Sequence, residues 1–150
     1  MSTETIPAIL RTVEVSTTPA RAFEVFTRRM GEWWPLRQFS IAEDKAVGVR
    51  FEEWTGGKVF EVVEDGTEWE WAEVLAWEPP HRVVLAWHPT LEPVVSTEVE
   101  VRFNASDGGT RVELEHRGWD RLGDIAATAR VDYHEGWVPV LNLYQALANK

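Results

Sequence analysis

The segment "TEWEWAEVLAWEPPHRVVLAW", from Thr67 to Trp87, decides the fold and raises the first question about function. Its β-branched and aromatic residues alternate with charged ones, which is typical of strands. Pro79 and Pro80 remove two backbone donors, so the segment divides into two predicted strands, 69–77 and 82–87. The segment is rich in tryptophan, of which the chain holds nine. These indoles either fill a core or form the wall of a cavity for an apolar molecule.

Further strands are predicted on both sides of this segment. The clearest is residues 95–103, where Thr97, Val99, Val101 and Phe103 share one face. The "SDGG" turn at 106–109 joins it to a partner strand by a hairpin. The remaining predicted strands are 9–15, 47–51, 58–63 and 111–117.

Helices are predicted at three places. "STTPARAFEVF" begins a helix, because Thr18 can cap it and Pro19 suits its first position. "TRRMGEWWPL" continues as a second short helix. A long C-terminal helix covers 127–149, and Gly136 and Pro139 within it predict a bend or a late start.

This order of elements predicts an α+β fold. A curved antiparallel sheet of about six to seven strands has one apolar face, and the long C-terminal helix is the only large element able to cover it. Two short helices follow the first strand. The 150 residues are expected to form one domain, with residues 1–8 as a flexible tail.

Composition excludes several classes of function. The net charge of −10 disfavours nucleic acid as a partner. No apolar run is long enough for membrane insertion, no secretory signal is recognisable, and there is no cysteine, so we expect a cytoplasmic protein. The chain has no signature of hydrolases or nucleotide-binding enzymes, and four scattered histidines predict neither a metal site nor a cofactor.

The chemistry-bearing candidates follow from strand alternation. Trp69, Trp71, Leu75 and Trp77 share one parity with Glu73, so the sequence predicts an inward carboxylate within an aromatic wall unless a β-bulge in this strand turns it outward. His116 shares the inward face of its strand, where it is either a hydrogen-bonded core group or, if the protein is an enzyme, the first candidate for an acid or base. Glu53 and Glu61 are interpreted as surface residues. Of the adjacent Trp33 and Trp34, we expect one inside and one near the rim.

The chain also resembles the START/Bet v 1-like superfamily, within its bacterial branch related to the C-terminal domain of the heat-shock ATPase activator. The matching stretches are "VEVSTTPARAFEVFTRRMGEWWP", "GGK", "AEVLAWEPPHRVVLAW", "STEVEVRF", "GTRVELEHRGW" and "EGW". The resemblance implies a helix-grip fold with a hydrophobic cavity between the sheet and the long helix. Members of the superfamily bind lipophilic small molecules, some branches are polyketide cyclases or aromatases, and the branch name comes from a co-chaperone.

Three functions therefore stay open. The first is non-enzymatic binding of a small lipophilic or aromatic molecule. The second is cyclase or aromatase chemistry in the same cavity, and the third is a chaperone-interacting module. In each case the protein is expected to be a monomer or a homodimer. The residues predicted to line the cavity are Trp34, Phe51, Trp69, Trp71, Glu73, Trp77, Leu85, Trp87, Val101, Leu114, His116, Tyr133, Trp137 and Tyr144.

Overall fold

The computed structural model describes residues 6–88 and 95–150. Their largest feature is an antiparallel sheet of seven strands, which are β1 (Ile9–Val15), β2 (Ala46–Phe51), β3 (Lys58–Val63), β4 (Glu68–Glu78), β5 (Arg82–Trp87), β6 (Thr97–Ser106) and β7 (Gly109–Arg117). Their order in the sheet is β1-β7-β6-β5-β4-β3-β2, so the first strand pairs with the last. The predicted α+β helix-grip fold is confirmed, with seven strands curled around a long helix.

The helices lie on one side of this sheet. Helix α1 spans Pro19–Phe26, and Thr18 caps it by accepting a hydrogen bond from the amide of Arg21 at 3.2 Å, as its sequence predicts. Helix α2 is short, Met30–Trp33. A Cβ on Gly31 would lie 2.9 Å from the amide nitrogen of Val49, so glycine lets α2 approach β2 closely. This approach places the two tryptophans at its end over the sheet.

Helix α3 spans Ala126–Ala148 and covers the concave face. The predicted late start is wrong, because the helix begins at Ala126 and continues through Pro139. Proline has no backbone N–H, so the carbonyl of Glu135 lacks its helical donor there. Both residues are exposed, and water can supply that hydrogen bond.

Two β-bulges correct the predicted parity of β4. One interrupts its pairing with β3 at Trp71, and the other interrupts its pairing with β5 at Leu75. Between them the alternation is inverted, so Val74 faces the core, while Leu75 is 42% exposed and Glu73 points outward toward Lys58, with its Oε1 3.9 Å from Nζ. The prediction that Glu73 and Leu75 face inward is therefore wrong. The second bulge restores the original parity at Trp77.

The predicted flexible tail lies mostly outside the described residues, and within them the amide of Ile6 donates to Asp120 at 3.2 Å. The strand predicted at 95–103 begins at Thr97 in the structure, two residues later than predicted. In the described part of the chain, no helix has the length and apolarity needed to cross a lipid bilayer.

Candidate ligand-binding cavity

Four tryptophans from separate parts of the chain meet between the sheet and α3. Trp34 lies at their centre, with its ring centroid 5.2 Å from that of Trp71, 5.8 Å from Trp87 and 5.9 Å from Trp137. These are favourable separations for aromatic contacts. We call Trp34, Trp71, Trp87 and Trp137 the tryptophan box.

A cavity of about 230 Å³ adjoins the tryptophan box. The other lining residues are Phe39, Ser40, Asp132, Tyr133, Gly136 and Val140. Phe39 and Asp132 are exposed, so they mark its mouth. An engineered cavity of roughly 150 Å³ with apolar walls is large enough to bind benzene. The cavity described here therefore has room for a somewhat larger aromatic molecule.

Every indole N–H of the tryptophan box donates to a group of the protein. The acceptors are the Phe39 carbonyl for Trp34 at 2.7 Å, the Glu61 carboxylate for Trp71 at 2.9 Å, the Tyr133 hydroxyl for Trp87 at 3.1 Å and Nδ1 of His116 for Trp137 at 3.0 Å. The box therefore presents ring surfaces to the cavity instead of hydrogen-bond donors. The Tyr133 hydroxyl keeps its own proton for donation, and burial raises its pKa, so it stays neutral at pH 7.

His116 lies behind the cavity wall and is 0% exposed. An indole N–H can only donate, so Nδ1 must accept from Trp137 and the imidazole proton must lie on Nε2. Nε2 then donates to the hydroxyl of Thr97 at 2.7 Å. Burial lowers the pKa of His116 to about 3, so the ring is neutral at pH 7. Both ring nitrogens are engaged, and His116 orients Trp137 without reaching the cavity surface.

Glu61 holds the other side of the cavity together. Its carboxylate accepts the backbone amides of Ile41 and Ala42, each at 2.6 Å, in addition to the indole of Trp71. These three charge-assisted hydrogen bonds compensate for the complete burial of the carboxylate. They also fix the loop that carries Phe39 against the wall that carries Trp71. The interpretation of Glu61 as a surface residue is therefore wrong.

The loop between α2 and β2 covers one side of the cavity. Phe39 extends from this loop toward α3, where a Cβ on Gly136 would lie 3.8 Å from two of its ring carbons. The Ser40 hydroxyl donates to the carbonyl of Leu36, which closes the loop on itself. The loop is therefore a formed part of the cavity wall.

Among the residues described, no group of three or more acidic or imidazole side chains is arranged to hold a metal ion.

The sequence profile of the family described as Activator of Hsp90 ATPase homolog 1-like protein matches residues 16–148. The chain belongs to this family. Comparison of the sequence with curated proteins gives no significant match.

The solved structures that are similar to this AHSA1-like chain include proteins of different kinds. The self-sacrificing resistance protein CalC from Micromonospora echinospora is 28% identical, with 95% of this chain and 94% of that one covered and a TM-score of 0.72. An anthrahydroquino-gamma-pyrone synthase, Txn09, solved in complex with a ligand, is 32% identical, with 98% and 90% covered and a TM-score of 0.58. The Aha1 dimer from Colwellia psychrerythraea is 14% identical, with 96% and 97% covered and a TM-score of 0.68, which shows the common fold alone.

In the structure, the predicted cavity residues fall into four groups. Those that line the cavity are Trp34, Trp71, Trp87, Tyr133 and Trp137. Those that are buried in the core without lining it are Leu85, Val101, Leu114, His116 and Tyr144. Phe51 and Trp77 pack with Phe23 beyond the box, with the ring of Trp77 4.9 Å from Phe23 and 5.8 Å from Phe51. Trp69 is half-buried outside the core, and Glu73 lies on the outer face.

Both residues of the Trp33–Trp34 pair are buried. Trp33 is 4% exposed and donates to the carbonyl of Val25 at 2.7 Å, whereas Trp34 is 8% exposed and lines the cavity. The prediction that only one of them packs inside is therefore wrong. The pair fits because α2 ends at Trp33, and the extended backbone at Trp34 turns its side chain away from the helix.

Sequence reasoning missed five lining residues, Phe39, Ser40, Asp132, Gly136 and Val140. The helical spacing could have predicted three of them, because residues 132, 136 and 140 lie four positions apart along α3, next to Tyr133 and Trp137. Phe39 and Ser40 lie in an irregular loop, where no periodicity signals which side faces the cavity.

Proposed function

We propose that the protein binds a small lipophilic or aromatic molecule in the cavity beside the tryptophan box. The observation that carries this proposal is an apolar cavity of about 230 Å³ lined by six aromatic side chains. Four of them are the tryptophans of the box, and their indole N–H groups already donate to the protein. Affinity would come from burial of apolar surface and from ring stacking. The Tyr133 hydroxyl would donate one hydrogen bond and fix the orientation of the ligand. The relative solved with a bound ligand supports the same kind of role.

A titration with neutral two-ring aromatic alcohols tests this proposal. 1-Naphthylmethanol, followed by tryptophan emission and by calorimetry, should bind and perturb the emission. Gly136→Leu should abolish binding, because a branched side chain there extends toward Phe39 and fills the mouth. Leucine is also a better helix former than glycine, so the variant should fold.

The matched control is Val138→Leu, on an exposed position of the same helix. It should bind as the parent does. Equal binding by the parent and by Gly136→Leu would show that the ligand lies elsewhere and would refute the proposal.

A second candidate is catalysis on the same kind of ligand, as in a polyketide cyclase. The observation that favours it is the 32% identity to a synthase across nearly the whole chain. The groups able to move a proton at the cavity surface are Asp132 and Tyr133, and His116 is held out of contact. If turnover of a bound ligand is detected by mass spectrometry, Asp132→Asn or Tyr133→Phe should reduce it, whereas unchanged turnover in both would contradict the catalytic role.

Action on a chaperone, as the family description suggests, stays a prediction, as do a homodimeric state and a cytoplasmic location.

A further inference from the structure

Among the described residues that line the cavity, Asp132 is the one carboxylate, and there is no lysine, arginine or histidine. It is exposed at the mouth, one residue before Tyr133 on α3. No ion pair between described residues involves Asp132. The mouth therefore offers a negative charge that no arginine or lysine of the described chain neutralises.

The interior of the cavity adds to this preference. Aromatic faces carry partial negative charge, and they attract an ammonium group within about 6 Å. The engaged indole N–H groups leave few donors with which to meet an anion. The same ring surfaces accept the apolar body of a ligand equally well.

The whole chain acts in the same direction. Its net charge is −10, which attracts cations toward the surface and repels anions. Acidic groups on the outer face of the sheet are largely paired, as Glu98 and Glu100 are with Arg117 at 3.1 and 2.7 Å. Asp132 differs from them because it stands at an opening toward an apolar interior.

We propose that the ligand is an organic amine, whose aromatic or alicyclic body packs on the tryptophan box and whose ammonium group lies at the mouth between Asp132 and the rings of Phe39 and Tyr133. This inference rests on the proposed function and narrows its ligand class. It excludes carboxylate-bearing lipids, such as free fatty acids, as preferred ligands.

Three naphthalene derivatives that differ only in charge test the inference. 1-Naphthylmethylamine is a cation at pH 7, 1-naphthylmethanol is neutral and 1-naphthoate is an anion. Calorimetry with the protein at low salt should give the tightest binding for the amine, roughly 10-fold tighter than for the alcohol, and the weakest for the carboxylate.

Asp132→Asn should remove most of the advantage of the amine over the alcohol. The control is Asp124→Asn, which changes the net charge equally at an exposed position outside the cavity lining and should keep the advantage. Phe39→Leu keeps an apolar side chain but removes one ring, so it should weaken the amine more than the alcohol.

The outcomes separate the two proposals. Equal binding of all three compounds, or tightest binding of the carboxylate, would overturn the inference and leave the proposed function standing. An amine advantage that survives Asp132→Asn, or that falls equally in Asp124→Asn, would overturn the role of Asp132. If none of the three compounds binds, the proposed function itself fails.

Discussion

His116 should make the protein lose stability at an unusually mild acidity. Its folded-state pKa is about 3 because the ring is buried, against an ordinary value of 6.5. Below pH 6.5 the unfolded chain takes up a proton that the folded protein cannot accept. The free energy of unfolding therefore falls as the pH is lowered from about 6.5 toward 3, with a limiting slope of about 1.4 kcal/mol per pH unit.

The loss from this one group between pH 7.5 and pH 5.5 is about 1.4 kcal/mol. Urea unfolding at several pH values, followed by tryptophan emission, measures it. His116→Gln removes the titrating group, and its amide can still donate to Thr97 and accept from Trp137. The difference in free energy of unfolding between parent and variant should shrink by about 1.4 kcal/mol over this interval.

Other titrating groups contribute equally to both proteins and cancel in this difference. His134→Gln, at an exposed position of α3, is the control and should keep the pH dependence of the parent. If His116→Gln loses as much free energy as the parent between pH 7.5 and 5.5, the neutral, buried imidazole is refuted. Direct observation of the ring nitrogens by NMR should find the proton on Nε2 at pH 7.

Three further predictions test other parts of the structure. Glu61→Gln should lower the free energy of unfolding in urea by about 2–4 kcal/mol, because its amide nitrogen would face a cluster of N–H donors. The control Glu53→Gln, in a partly exposed ion pair, should change it little. Equal effects of the two substitutions would show that Glu61 is not a buried acceptor. Val74→Ala should cost about 2 kcal/mol and Leu75→Ala less than about 0.5 kcal/mol, and the reverse order would contradict the bulged register of β4. Pro139→Ala should raise the free energy of unfolding by about 1–2 kcal/mol by restoring a helical hydrogen bond, so a thermal scan that shows destabilisation would mean that the proline fits this helix for another reason.

The fold was predictable because apolar residues recur with the period of a strand or of a helix in nearly every segment. The two-residue alternation of 111–117 placed His116 inside correctly, because β7 is regular and pairs without a bulge. The capping residue Thr18 and the proline after it predicted the start of α1 correctly. Such local signals do not depend on what the rest of the chain does.

The cavity was less predictable, and the two glutamates show why. Glu73 follows the parity of Trp71 in sequence, but the bulge at Trp71 turns it outward. Glu61 shares its parity with Val59 and Val63, which are both buried, so the signal for an inward carboxylate was present in β3. It was obscured because Phe60 and Val62 make the opposite face apolar as well.

In the proposed function, the tryptophan box is the wall of a binding cavity. An NMR titration of the indole N–H signals with 1-naphthylmethanol tests it most directly, with the signals assigned by single tryptophan-to-phenylalanine variants. We expect the signals of Trp34, Trp71, Trp87 and Trp137 to shift together and saturate, while that of Trp54, which is 56% exposed in a turn, stays in place. Shifts confined to exposed tryptophans, or no shift up to the solubility limit of the probe, would contradict the account.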